Sequence, residues 1–175
     1  NMLIMLKVER LVGYKNEGHY LNYLVWGLVS KSNSGRIYHG PFQKPIVLVG
    51  LMGAGKTSIG RKLAERMQVS FVDADHEIEK AAGCTITEFF EKFGEKEFRR
   101  GEKRVIERLL KSWPCILATG GGAFMDPETR AMIKNTAISI WLNADLDTLD
   151  DRLARRSGRP LLQTKNPRAT LQSLM

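Results

Sequence analysis

The clearest chemical signal lies in residues 50–57, which match the phosphate-binding pattern G-x-x-x-x-G-K-[ST] at every fixed position. The apolar, β-branched run at residues 45–49 predicts a buried parallel strand directly before this loop. After the loop, apolar residues recur at helical spacing between Ile59 and Met67, which predicts a helix that begins near Gly55. A glycine-rich loop at a helix N-terminus offers backbone N–H groups to an anion. We therefore predict a nucleoside triphosphate site, since a chance match would lack the flanking strand and helix.

Two side chains of this loop have separate expected tasks. Lys56 would reach the outer phosphates, and the hydroxyl of Thr57 would occupy a position on Mg²⁺. The other residues expected to bind the nucleotide here are Gly53, Ala54, Gly55 and Ser58.

Two acids follow the next predicted strand, residues 70–72. Asp73 and Asp75 come at its carboxyl end, which is where ligands gather in an open parallel sheet. One carboxylate would hold Mg²⁺ through water, and the other would accept the proton or hydrogen bond of a substrate hydroxyl. The alternative is that both are solvated loop acids or helix caps.

Arg99 and Arg100 stand near the start of a predicted helix, where the helix dipole disfavours cations. A guanidinium fork that grips a carboxylate or phosphate would explain this placement. Glu102 lies three residues after Arg99 on the same helical face and could fix its rotamer. The alternative is an ordinary surface ion pair.

Residues 120–122 are three consecutive glycines at the end of another predicted strand, so a ligand can approach this backbone closely. Further along, basic residues flank a segment that could close over a triphosphate and exclude water. They are Arg152, Arg155, Arg156 and Arg159, and a solvated basic face is the alternative for any one of them.

The net charge of +8 raises the question of a nucleic-acid partner. Residues 1–44 supply +4 of it, from six Lys/Arg and two Asp/Glu, and arginines after them are what a phosphate-transferring site needs. Because no aromatic-interleaved basic patch occurs, we expect no nucleic acid as partner. Cys84 and Cys115 are far apart and lack metal-ligand spacing, so we expect reduced core thiols. With no membrane-length apolar run and no signal-peptide pattern, a cytoplasmic protein without a membrane partner is expected.

From Pro45 onward, predicted strands and helices alternate, which favours one parallel sheet with helices on both faces. The expected strands are residues 45–49, 70–72, 115–118 and 137–142. The expected helices are residues 55–67, 76–82, 86–93, 96–111, 127–134 (capped by Asp126) and 145–155. Residues 1–44 form an N-terminal extension to which the sequence assigns no role.

Several motifs together resemble the shikimate kinase family. They are the loop at residues 50–57, Asp73-Ala74-Asp75 with Ile78-Glu79 after it, the run at 94–102, Thr119-Gly120-Gly121-Gly122-Ala123 and Arg159-Pro160-Leu161-Leu162. Their order and spacing hold over residues 45–175, the expected kinase core. The resemblance implies a three-layer α/β/α fold of the P-loop kinase type with strand order 2-3-1-4. It also implies ATP-dependent phosphorylation of the shikimate 3-hydroxyl by a monomeric enzyme.

The resemblance assigns roles residue by residue. Lys56 would bind phosphate as a catalytic residue, and Thr57 would bind Mg²⁺, with Asp73 in the water shell of the metal. Asp75 would bind ring hydroxyls of shikimate and take part in catalysis, and Arg99 with the amides of Gly121 and Gly122 would bind its carboxylate. On the lid, Arg159 would contact the phosphates as a catalytic residue, and Arg152 would stack on adenine.

This chain departs from the family pattern at both ends. Residues 1–44 have no counterpart in the family core, and the sequence stops at Met175, where the family continues through a helix, a fifth edge strand and a final helix. That part carries a second carboxylate-binding arginine. We therefore expect the fourth strand to have an open edge. We also expect the chain to bind nucleotide weakly and to phosphorylate shikimate poorly or not at all. A related small-molecule kinase, such as one for gluconate, and a non-catalytic nucleotide-binding module are the alternatives.

Overall fold

The computed structural model describes residues 5–7, 44–111 and 115–154. The strands are β1 (Met5–Lys7), β2 (Ile46–Val49), β3 (Ser70–Asp73), β4 (Cys115–Ala118) and β5 (Ile138–Asn143). The helices are α1 (Lys56–Met67), α2 (Ala74–Ala82), α3 (Ile86–Leu110), α4 (Pro127–Thr136) and α5 (Leu146–Ala154), with a 3₁₀ turn at Ala123–Met125. The alternation of strand and helix confirms the predicted α/β class.

The five strands form one sheet in the order β1-β5-β2-β4-β3. Strands β3, β4, β2 and β5 are parallel to one another, which confirms the predicted order 2-3-1-4 for the strands after residue 44. The expectation of an open edge at β5 is wrong. Strand β1 pairs with β5 in antiparallel fashion, with Met5 opposite Asn143 and Lys7 opposite Trp141.

Strand β2 lies at the centre of the fold and is buried on both faces. Its side chains alternate, so that Leu48 joins a cluster under α1 and α5 with Leu63 and Leu149. Val47 faces the opposite side, in a cluster with Ile106 of α3. The helices therefore cover both faces of the sheet, and the carboxyl end of β2 carries the phosphate loop between these two layers.

Side-chain caps and glycines fix where the helices begin and end near the site. Thr85 and Glu88 form a capping box at the start of α3. Gly94 then breaks α3 with a φ of 76° and a ψ of 172°, so the helix consists of two segments, as the sequence predicted. Asp126 caps α4 by accepting a hydrogen bond from the amide of Thr129 at 2.7 Å, as expected.

The cysteines differ from the expectation in one respect. Cys115 is buried in β4, but Cys84 is half-buried in the turn between α2 and α3, so it is not a core residue. Both thiols are free.

Candidate active site

The phosphate loop connects β2 to α1 and has the backbone form that its glycines allow. Gly50, Gly53 and Gly55 have φ values of 138°, 84° and 95°, in a region that L side chains rarely adopt. A Cβ on Gly50 would lie 2.3 Å from the carbonyl oxygen of Leu142 in β5. The first glycine is therefore required both by the turn and by the close approach of the neighbouring strand.

Lys56 is the first residue of α1 and is 8% exposed. Its Nζ donates to the carbonyl oxygen of Gly50 at 2.6 Å and to that of Leu51 at 2.9 Å. The ammonium group thus lies inside the curve of the loop and holds its backbone together. The sequence predicted that Lys56 contacts the outer phosphates. In the structure its ammonium group lies at the loop to which those phosphates would bind.

Thr57 and Asp73 meet at the carboxyl ends of β2 and β3. The hydroxyl of Thr57 donates to Oδ2 of Asp73 at 2.9 Å, while Oδ1 of Asp73 accepts from the amide of Asp75 at 3.2 Å and caps α2. A hydroxyl and a carboxylate side by side next to a phosphate loop fit the oxygen preference of Mg²⁺. Among the described residues, no cluster of three or more acidic, His or Cys side chains could hold a metal ion.

A cavity of about 370 Å³ lies beside the loop and is lined by all four predicted substrate-binding residues. Met52 of the phosphate loop forms part of its wall. The polar and glycine residues of its wall include Asp75, Arg99, Glu102, Gly120, Gly121 and Gly122. The structure thus brings together residues that the sequence separates by up to 70 positions.

Arg99 is held in this cavity by two carboxylates of its own helix. Its Nη1 donates to Oε2 of Glu102 at 2.7 Å, and its Nε and Nη2 donate to Oε1 of Glu95 at 3.4 and 3.2 Å. Burial opposes the guanidinium charge, but the carboxylates of Glu102 and Glu95 outweigh it, and the pKa of Arg99 lies above its usual value. The predicted role of Glu102 in fixing the Arg99 rotamer is confirmed.

Glu102 is 2% exposed, and burial raises the pKa of its carboxyl above the usual value, against the opposing effect of Arg99. Asp75 and Asp126 add to this rise through their negative charges. Within the described residues, its Oε1 is the one buried side-chain oxygen without a hydrogen-bond partner. A Cβ on Gly120 would lie 2.7 Å from this oxygen and 2.8 Å from Oδ1 of Asp75, so both acids face this glycine.

The glycine turn allows close packing between the cavity and the loop. A Cβ on Gly121 would lie 2.9 Å from the backbone nitrogen of Met52, and one on Gly122 would lie 2.5 Å from Nη2 of Arg99. Thr119 anchors the turn, because its backbone nitrogen and its hydroxyl both reach the carbonyl oxygen of Leu48, at 3.2 and 3.1 Å. The sequence predicted close approach of a ligand to residues 120–122, but it gave no substrate contact to Thr119 or Gly120 individually.

The arginines predicted for the lid have mixed outcomes. Nη1 of Arg152 donates to the carbonyl oxygen of Gly53 at 2.8 Å, so α5 contacts the phosphate loop directly. Arg155, Arg156 and Arg159 lie outside the described residues.

Arg100, which was predicted together with Arg99, makes an ion pair with Glu97 at 2.6 Å on the exposed surface of α3. The alternative of an ordinary surface ion pair therefore holds for this residue.

A second cavity, of about 290 Å³, lies at the carboxyl ends of β2 and β5. Val49, Phe124, Trp141 and Leu149 line it, and its described lining holds no ionisable side chain. The polar chemistry therefore lies in the first cavity. In the described parts of the chain, every helix is too short or too polar to cross a membrane.

The parallel sheet, the loop at the end of its central strand and the Thr57–Asp73 contact define a P-loop α/β protein. Its particular family follows from comparison with known proteins. The profile described as shikimate kinase matches residues 52–175, and the chain belongs to the shikimate kinase family.

Individual relatives agree with this assignment. The chain is 57% identical over 132 residues to a shikimate kinase of Brucella canis, a match that covers 75% of this chain and 66% of that protein. It is 58% identical over 132 residues to a shikimate kinase of Bradyrhizobium diazoefficiens, covering 75% and 64%. The structure of the shikimate kinase from Acinetobacter baumannii in complex with shikimate is similar with a TM-score of 0.72 at 43% identity, over 76% of this chain and 74% of that one. The chain thus spans just under two thirds of the length of these curated relatives.

Proposed function

We propose that the protein transfers the terminal phosphoryl group of ATP to the 3-hydroxyl of shikimate. The observation that carries the proposal is the single cavity that holds Asp75, Arg99 and the glycine turn and has the phosphate loop as part of its wall. A donor site and an acceptor site therefore adjoin, as phosphoryl transfer requires. Membership of the shikimate kinase family and the shikimate bound in the Acinetobacter protein support the choice of substrate.

On the donor side, the residues act by positioning and by neutralising charge. The backbone N–H groups of the loop and the N-terminus of α1 favour the phosphates of ATP. Lys56 would exchange its bonds to Gly50 and Leu51 for the outer phosphates, where its charge opposes the negative charge that develops. Thr57 and Asp73 would hold Mg²⁺, which neutralises phosphate charge when bound.

On the acceptor side, the residues orient a small acidic polyol. Arg99 would bind the carboxylate of shikimate, and the backbone amides of Gly121 and Gly122 would add donors where no side chain intervenes. Asp75 would accept the hydrogen bond of the reacting hydroxyl and receive its proton. Arg152 contacts the loop at Gly53 and would stack on adenine, and Arg159 would contact the phosphates.

The remaining expectations concern the setting of the enzyme. The free thiols of Cys84 and Cys115 fit a reducing compartment, and we propose a cytoplasmic, monomeric enzyme with ATP, Mg²⁺ and shikimate as its ligands. Gluconate, the alternative substrate, also carries a carboxylate that Arg99 could bind, so the choice of shikimate over gluconate rests on the family of the chain and not on Arg99 alone.

The test is ADP release measured by a coupled assay with shikimate, gluconate and AMP as acceptors. We expect release above the acceptor-free rate with shikimate alone, and its loss in the Asp75→Asn variant. Asp151→Asn is the matched control, because Asp151 is exposed on α5 and does not line the cavity. Release stimulated by gluconate or AMP but not by shikimate would overturn the proposal, and nucleotide binding without any acceptor-dependent release would favour a non-catalytic module.

A further inference from the structure

Arg99 has three hydrogen-bonding nitrogens, and carboxylates of the chain itself already engage all of them. Glu102 accepts from Nη1, while one oxygen of Glu95 accepts from both Nε and Nη2. The two acids differ sharply in burial, because the side chain of Glu102 is 3% exposed and that of Glu95 is 60% exposed. Glu102 is therefore a fixed part of the cavity, whereas Glu95 reaches Arg99 from the solvent side.

The geometry leaves one edge of the guanidinium for an incoming acid. A Cβ on Gly122 would lie 2.5 Å from Nη2 and 3.0 Å from Nη1, so the turn packs against the end of the fork. Glu102 holds the Nη1 side. A carboxylate that binds Arg99 through two parallel hydrogen bonds therefore needs the Nε–Nη2 edge, which is the edge that Glu95 occupies.

We propose that Glu95 sets the affinity of the site for acids by competing with the substrate carboxylate for the Nε–Nη2 edge of Arg99. This inference rests on the proposed function, because it takes the ligand of Arg99 to be an acid. An acidic substrate must displace Glu95 from this edge. A ligand without a carboxylate does not displace it. Glu95 thus weakens the binding of acids by a fixed factor and leaves unchanged the binding of neutral analogues, which do not use Arg99.

The expected size of the effect follows from the exposure of the pair. Arg99 is half-buried, but solvent reaches its exposed partner Glu95, and such ion pairs four residues apart on a helix contribute little. Release of Glu95 should therefore improve acid binding only about two- to fivefold. The hydrogen bonds at 3.2 and 3.4 Å to a single oxygen are long for a charged pair, which agrees with a contact that yields to a better ligand.

The experiment compares Glu95→Gln with Glu97→Gln by titration calorimetry with shikimate and with its methyl ester. Both variants remove one negative charge from the same helix, but Glu97 pairs with Arg100 and not with Arg99. We expect shikimate to bind Glu95→Gln about two- to fivefold more tightly than the parent chain, and Glu97→Gln as the parent does. The ester, which lacks the charge, should bind all three proteins equally.

Unchanged or weaker binding of shikimate to Glu95→Gln would overturn the inference, and so would equal tightening in Glu97→Gln. If no protein of the set binds shikimate, the proposed function fails and a simpler probe decides the inference. Benzoate is then titrated while the Arg99 Nε–H signal, identified by its loss in Arg99→Lys, is followed by NMR. Tighter benzoate binding in Glu95→Gln would sustain the competition, and equal binding would refute it.

Discussion

Lys56 offers the sharpest test of the phosphate loop, because its two kinds of contribution can be separated. In the structure it has a structural task, since Nζ donates to the carbonyl oxygens of Gly50 and Leu51. In the proposed reaction it has a second task at the transferring phosphoryl group. We compare Lys56→Ala, which removes the whole side chain, with Lys56→Met, which keeps an unbranched apolar stem but loses the charge.

The magnitudes follow from burial and bond lengths. Lys56 is 8% exposed and makes hydrogen bonds of 2.6 and 2.9 Å, and a hydrogen bond to a charged group contributes about 1.5–3 kcal/mol. Water can reach carbonyls of a partly open loop, so we expect Lys56→Met to lose about 2 kcal/mol of unfolding free energy and Lys56→Ala somewhat more. Loss of a charge aimed at the transition state should lower kcat at least about a hundredfold in both variants, or about 2.7 kcal/mol of activation free energy.

The assay pairs urea denaturation with ADP release and ATP titration. Stability should fall in the order parent, Met, Ala, while turnover should fall equally in the two variants and ATP affinity less than turnover, since the backbone amides remain. Lys62→Ala is the control, because Lys62 is exposed on the same helix and should change stability by less than about 0.5 kcal/mol. Near-normal turnover in either Lys56 variant would refute the assignment of the site.

Three further predictions concern the acids around the cavity. Asp75→Asn should weaken shikimate binding and turnover but leave ATP binding intact, whereas Asp73→Asn should weaken the dependence on Mg²⁺; identical calorimetric profiles for the two would refute the division. Glu102→Ala leaves the half-buried charge of Arg99 with Glu95 as its one carboxylate partner, so it should lower the free energy of unfolding by about 2–3 kcal/mol in urea denaturation. Glu102→Gln should restore part of this loss, and a loss within error of zero in Glu102→Ala would contradict the prediction. Asp126→Ala should cost about 1 kcal/mol at neutral pH. The amide of Thr129 lowers the pKa of Asp126, so this stabilisation is present above the usual aspartate pKa and is lost as the pH falls below it. The gap between the parent and Asp126→Ala should therefore narrow between pH 7 and about pH 3, and a constant gap would refute the linkage.

The central part of the fold could be predicted because its signals are local. Strand β2, the phosphate loop and α1 follow one another in residues 46–67, and each has a pattern that belongs to its own segment. The helix break at Gly94 and the helix cap at Asp126 likewise each depend on one residue with a strong local preference. The sheet order came from the resemblance, and the register of the strands confirms it.

The features that the sequence did not predict all depend on contacts between distant or competing groups. Pairing of β1 with β5 joins residues more than 130 positions apart, and a three-residue strand has no detectable pattern of its own. The approach of Asp75 and Glu102 to Gly120 depends on how two helices meet one turn. The contact of Arg99 with Glu95 was missed for a different reason, since Glu102 already satisfied the same helical spacing rule.

The antiparallel β1 also changes how the domain should be dissected for crystallography or ligand screening. A fragment that starts at Pro45, where the recognisable motifs begin, would lack the strand residues that pair with Trp141, Leu142 and Asn143. The carbonyl oxygen of Leu142 also lies against Gly50, and Leu142 lines the second cavity, of about 290 Å³. Trimming the N-terminus would therefore loosen the strand that abuts the first glycine of the loop. A compound selected for binding to such a fragment would be selected against a phosphate loop whose adjacent strand, β5, no longer pairs with β1.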